Sequence, residues 1–106
     1  MYYIVYVLQS KKYPHRKYIG YTANLQKRVK IHNSGMVHST KKWKPWIPIY
    51  AEMYLEKLDA LGRERFLKSG SGWKYIKKQL RHYLKHHENL TKEATKKTID
   101  PTLRDQ

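Results

Sequence analysis

A carboxylate, an arginine, a histidine and two tyrosines stand in this 106-residue chain at positions where chemistry on a phosphate or a proton is conceivable. On the wheel of a helix expected over Leu55–Lys68, Glu64 falls between Ala60, Leu61 and Leu67, within the apolar arc. A carboxylate there must be paired or hold a cation, because burying it bare is costly. A salt bridge to one of the many bases satisfies that demand. So does a single Mg²⁺, which accepts one or two carboxylates and completes its shell with water and phosphate oxygens.

Arg28 and His32 pose the same choice. They share a helical stripe with Leu25 and Val29. Arginine offers a fork of donors to a phosphate, and histidine offers a proton or a hydrogen bond. Equally, Arg28 can run along the edge of a core while His32 ends the helix favourably against its dipole. Tyr6 and Tyr18 lie on expected strands, where tyrosine usually fills the core. A phenol of ordinary pKa about 10 becomes a usable base only beside a metal or a cation. Gly20 in "KYIGYT" reads as a bulge or a place of close backbone approach.

The elements that must position these groups follow from patterning. Tyr2–Leu8 reads as a strand apolar on both faces, with Tyr2, Ile4, Tyr6 and Leu8 on one side and Tyr3, Val5 and Val7 on the other, hence a central strand. Lys17–Tyr21 is its hairpin partner. Thr22 or Asn24 caps a helix running to about His32, stopped by "NSG". Trp46–Tyr54 alternates as a third strand, and Pro48 puts it at an edge. A second helix over Leu55–Lys68 is stopped by "SGSG", and Trp73–Leu84 makes a third. The expected class is α+β: a small three-stranded antiparallel sheet flanked by about three helices over residues 1–84. The polar stretch 85–106 has little to bury and is expected to be disordered, His82, His86 and His87 being solvated near its start.

Charge narrows the partners. There are 23 Lys and Arg against 8 Asp and Glu, a formal net charge of +15. Residues 1–51 hold ten of the bases and no carboxylate, and residues 65–81 hold six more and again none. Such a field selects polyanions, of which nucleic acid is the commonest. The chain has no cysteine, so disulfides and thiolate-bound metals are excluded, and a reducing, cytoplasmic setting is expected. The apolar run "YYIVYVL" is too short to cross a membrane, and no membrane partner is expected.

Tyr6, then "YIG" at Tyr18–Gly20, then Arg28, His32 and Glu64 follow one another in an order that resembles the GIY-YIG nuclease domain. The likeness runs from about Tyr2 to Leu80. "KYIGYTANLQKR" and "ALGRERFLKSGSG" are similar in particular to the small stand-alone bacterial members, relatives of the catalytic domain of the excinuclease C subunit. The chain differs in carrying "IVY" without the first-motif glycine, and in having no asparagine between Arg65 and His87. The resemblance implies a divalent-metal-dependent DNA endonuclease of repair or processing. In it Tyr6 is the candidate general base, Glu64 the ligand of one Mg²⁺ or Mn²⁺, Tyr18 and Arg28 phosphate-positioning groups, and His32 an assistant. Nucleic-acid contacts are expected from Lys17, Gly20, Lys27, Lys42, Trp43 and Lys68, with Trp46 a further exposed candidate. The competing expectation is a module on the same fold that binds DNA without cutting it. RNA is not excluded by any of these residues.

Overall fold

The computed structural model describes residues 1–88. Three antiparallel strands, β1 (Tyr3–Ser10), β2 (Lys17–Thr22) and β3 (Trp46–Tyr54), pair in the order β2-β1-β3. The helices are α1 (Leu25–Asn33), α2 (Lys57–Leu67), α3 (Gly70–Gln79) and α4 (Arg81–Glu88), and a 3-10 turn covers Lys41–Trp43. The α+β class and the central place of the first strand are as the sequence implied.

Each face of β1 owns a core, for the reason its residues announce: apolar side chains alternate to both sides. Val5 and Val7 bury with Ile19, Ala60, Leu67 and Ile76 beneath α2 and α3. Tyr6 and Leu8 bury with Trp46 on the other face, where Leu25 and Val29 of α1 close over them. Full burial of one such large apolar side chain stabilises by about 1.5–3 kcal/mol. The two cores therefore clamp β1 between helix layers, and any group at its middle is fixed from both sides.

Two local expectations are corrected. The alternation of β3 groups Trp46 with Tyr50, Glu52 and Tyr54, but Val7 pairs with Tyr50 while Leu8 pairs with Pro48. Ile49 is the extra residue of a bulge, so Trp46 crosses to the Tyr6 face while the other three stay on the Val5 face. Trp46 is consequently 1 % exposed and is a core residue, not a nucleic-acid contact.

"SGSG" starts a helix as well as ending one. Ser69 caps α3, its hydroxyl accepting from the Gly72 N–H at 3.1 Å. A Cβ on Gly72 would lie 2.0 Å from the Phe66 carbonyl oxygen and 2.4 Å from the Leu67 Cα, so glycine is what allows α3 to begin against the end of α2. The single third helix expected over Trp73–Leu84 is two, broken at Leu80. Of the stretch expected to be disordered, residues 85–88 belong to α4, where Tyr83 and His87 stack at 4.1 Å, and 89–106 lie outside the described residues.

Candidate active site

The Tyr6 hydroxyl reaches across the α1 face of the sheet to His32 Nε2 at 3.1 Å, and both residues are wholly buried. His32 comes to that point because Asn24 caps α1, accepting from the Lys27 N–H at 3.0 Å, which fixes where the helix begins. Leu25 and Val29 then turn the stripe carrying Arg28 and His32 toward β1. At the far end Asn33 grips Trp46, donating from Nδ2 to its carbonyl at 3.0 Å and accepting its N–H.

Space for the tyrosine is supplied by Gly20, which pairs with Tyr6 across β1 and β2. A Cβ there would lie 2.4 Å from the Tyr6 hydroxyl oxygen and 2.9 Å from a ring carbon of Tyr18. Gly20 thus makes room for a side chain rather than for a neighbouring backbone or a nucleic acid. It is itself buried, and the expectation that it touches nucleic acid is corrected on that ground. The Tyr18 ring lies 4.7 Å from that of His32 and 6.2 Å from that of Tyr6.

Burial sets the protonation of this group. It pushes the Tyr6 phenol up to about 12, outweighing the hydrogen bond from Arg28 that lowers it. His32 is pulled down to about 4, first by burial and then by the positive charge of Arg28. The two shifts oppose transfer from Tyr6 to His32, so in this state the proton stays on oxygen. His32 is a neutral hydrogen-bond partner here and not a proton acceptor.

Its second nitrogen explains which tautomer is present. Nδ1 lies 2.9 Å from the hydroxyl of Thr40, whose oxygen is also 3.4 Å from the Val37 carbonyl. We assign the pattern in which Tyr6 donates to Nε2, Nδ1–H donates to Thr40 and Thr40 donates to Val37. Thr40 is fully buried, and no sequence signal points to it. It sits in the polar run "MVHSTKK", and no local spacing connects it to a helix residue eight positions earlier.

Arg28 completes the cluster. Its interaction with the Tyr6 hydroxyl raises its pKa against the opposing effect of burial, and Tyr18 adds to the rise. Its Nε is nevertheless buried without a hydrogen-bond partner among the described residues. Such a donor costs about 1–3 kcal/mol when left unmade. Glu64 approaches closely enough for its charge to oppose ionisation of Tyr6. Its carboxylate, 21 % exposed, meets Lys68 Nζ at 3.2 Å one helical turn away. Lys68 is therefore placed on Glu64 rather than held out alone.

The remaining expected contacts divide. Lys27 and Lys42 are exposed, and Trp43 is half-buried with Lys42 Nζ 5.0 Å from its ring centroid. Lys17 is 1 % exposed, its ammonium donating to the Pro14 carbonyl at 2.8 Å and lying 5.7 Å from the Trp73 ring. It braces the hairpin from inside and is corrected from a nucleic-acid contact to a structural residue.

The order and spacing of these residues are those of one family, whose model, the GIY-YIG catalytic domain, matches residues 2–76. The chain belongs to the GIY-YIG family. It is 34 % identical over 74 residues to a UPF0213 protein of Staphylococcus haemolyticus strain JCSC1435, a match covering 69 % of this chain and 88 % of that one. Membership places it in a nuclease superfamily. Every residue of the Tyr6, Tyr18, Arg28, His32 and Glu64 set lies inside the matched GIY-YIG span.

GIY-YIG membership also raises the question of a divalent ion. Among the described residues no group of three or more His, Cys, Asp or Glu gathers to hold one. Glu64 is a hard oxygen donor near enough to the Tyr6 phenol for its charge to act on it, and fits an ion held by one carboxylate with water and phosphate oxygens completing its shell. No helix among the described residues is long and apolar enough to cross a membrane.

Proposed function

We propose that this protein is a divalent-metal-dependent endonuclease that hydrolyses DNA phosphodiester bonds in repair or processing. The observation that carries the reading is the buried Tyr6–His32 hydrogen bond flanked by Arg28, whose Nε has no hydrogen-bond partner among the described residues. A guanidinium that faces two phenols beside a buried tyrosine–histidine pair offers its fork of donors to an anion that arrives from outside.

In this reading a substrate phosphate is drawn to Arg28 and Tyr18, and Arg28 opposes the charge that builds on its oxygens. His32, fixed by Thr40, holds the Tyr6 O–H in one orientation. Tyr6, having first passed its own proton to solvent, would take the proton of the attacking water as the water oxygen bonds to phosphorus and the bond to the leaving oxygen breaks, that oxygen taking a proton from solvent. Arg28 favours the phenolate and burial resists it. Glu64 would hold the ion, displacing Lys68. When bound, Mg²⁺ or Mn²⁺ would supply positive charge that lowers the pKa of groups beside it and opposes the negative charge building on the phosphate oxygens. Lys27 extends the cationic rim next to Arg28.

A second reading has its own support: Tyr6 is fully buried with its phenol at about 12, and Lys68 already neutralises Glu64. These features suit a module that binds DNA and cuts it weakly or not at all. Plasmid nicking with Mg²⁺ or Mn²⁺ separates the two. The nuclease reading expects wild type to nick and Glu64→Gln to lose activity while keeping its fold and DNA affinity. Equal residual nicking by both proteins assigns the cutting to a contaminant, and the binding module stands.

A further inference from the structure

The tip of the β1–β2 hairpin and the segment 41–45 are far apart in sequence yet sewn together. The Lys11 N–H donates to the Pro45 carbonyl at 2.9 Å, and the Ser10 hydroxyl donates to the Trp43 carbonyl at 2.6 Å while accepting from the Tyr13 N–H at 2.9 Å. The result brings two basic triplets to one surface: Lys11, Lys12 and Arg16 from the hairpin, and Lys41, Lys42 and Lys44 from the turn. All five lysines are exposed, and among the described residues none of them forms an ion pair with a carboxylate.

Trp43 is the organiser of this patch. The Arg16 guanidinium lies 4.1 Å from its ring centroid and Lys42 Nζ lies 5.0 Å from it. Tyr13 meets the ring edge-on at 5.2 Å, and the indole packs inward on the Tyr6, Leu8 and Trp46 cluster. Cation–π contact of this kind is worth about 0.5–1 kcal/mol at exposed sites, enough to bias where a flexible cation rests. An indole flanked in this way is poorly placed to receive a stacked base, which is the usual use of an aromatic in single-strand binding. What the five exposed lysines present outward is positive charge.

We propose that this hairpin-and-turn surface binds the phosphate backbone of duplex DNA, as a second binding region beside the candidate active site. The two are joined through Thr40, which holds His32 by its side chain and immediately precedes Lys41. A duplex lying on the patch is thereby anchored on one side of the site. Binding is read through charge, without base preference, and releases counterions. The inference rests on nucleic acid being the substrate, but not on the protein cutting it.

The test compares two triple variants of equal net charge, both carrying Glu64→Gln and assayed without divalent ion so that hydrolysis cannot enter. One is Lys11→Glu/Lys41→Glu/Lys42→Glu. The other is Lys74→Glu/Lys77→Glu/Lys78→Glu, on the exposed side of α3. Affinity for a fluorescent 20-base-pair duplex is measured by anisotropy across a salt series, with a single strand of the same sequence and an RNA duplex in parallel, and circular dichroism verifies folding. The expected result is at least a tenfold greater loss of duplex affinity for the hairpin-and-turn variant than for the α3 variant. Its slope of log affinity against log salt should be shallower by about 0.9 for each phosphate that the variant no longer neutralises. Equal losses overturn the proposal, because the general field then explains binding. A preference for the single strand that Trp43→Ala abolishes also overturns it in favour of stacking, and a preference for the RNA duplex overturns the assignment to DNA. Duplex binding lost only from the patch variant, in a protein that never nicks, would support this surface while refuting the nuclease.

Discussion

The two faces of the sheet each bring tyrosines to an arginine, and they treat it in opposite ways. On the α2 face Arg63 meets Glu52 through two bonds, Nε to Oε1 at 2.8 Å and the terminal nitrogen to Oε2 at 2.9 Å. The hydroxyls of Tyr50 and Tyr54 donate to the same carboxylate at 2.5 and 2.7 Å, and Tyr75 lies under the guanidinium, 4.5 Å from ring centroid to carbon. Burial raises the pKa of Glu52, but Arg63 and the two hydroxyls outweigh it and the net shift is downward. Each charge there has its complement. On the α1 face Arg28 meets two phenols, and its Nε has no hydrogen-bond partner among the described residues. The closed network serves stability. The open one leaves a donor that the proposed substrate phosphate would meet.

This contrast can be broken in several ways, and the largest effect expected is on catalysis. Arg28→Ala should lower plasmid nicking by roughly two to three orders of magnitude, the scale seen when a charge-stabilising donor is removed. Its melting temperature should hold or rise, since a buried unmet donor leaves with it. If Arg28→Ala unfolds the protein instead, the open site is structural after all.

Glu52→Ala is the mirror experiment. It strands Arg63 and takes the acceptor from two tyrosines, so denaturant unfolding should show a loss of about 3 kcal/mol. Duplex affinity measured on the folded fraction should not fall.

Acid should separate the faces by pH. The folded pKa of His32 is depressed from 6.5 to about 4, so the unfolded chain takes up a proton in that window while the folded one does not. Stability then falls as pH drops from 6.5 toward 4, by roughly 3 kcal/mol in all. Glu52 acts lower. Its folded pKa lies beneath the ordinary 4.5, so its stabilisation is full above that value and is lost only as pH falls below it. Urea titrations of wild type and His32→Gln between pH 7 and 4 should show the first loss in wild type alone.

Smaller effects probe how the open site is built. Gly20→Ala forces a Cβ to 2.4 Å from the Tyr6 hydroxyl and should cost about 2 kcal/mol as the ring shifts, with the Tyr6–His32 bond weakened. Thr40→Val should reduce nicking about tenfold and leave Thr40→Ser near wild type, because only the hydroxyl is needed to hold Nδ1–H. Nitrogen-15 shifts of His32 give the same answer independently of activity, by showing a mixture of tautomers in the valine variant.

Much of this was legible in the sequence because it is local. Alternation over β1 announced two cores and a central strand, and the stripe of Leu25, Arg28, Val29 and His32 announced the face that α1 would lay on them. The order of Tyr6, Tyr18, Arg28, His32 and Glu64 carried the family. What misled was also local: Lys17 looks exposed by type, Trp46 by its basic surroundings, and "SGSG" like a simple stop.

The sequence by itself determined the α+β class, the polyanion-attracting charge and the residues of the candidate site, since periodicity, composition and motif order are written along the chain. Only the tertiary structure decided that Trp46 crosses the sheet at the Ile49 bulge, that Thr40 holds His32, and that the hairpin tip joins the 41–45 turn. It also decided which arginine is satisfied and which is not. Those outcomes depend on register and on which groups meet across distant segments, and a hydrogen bond left unmade inside a fold has no signature in the order of the residues.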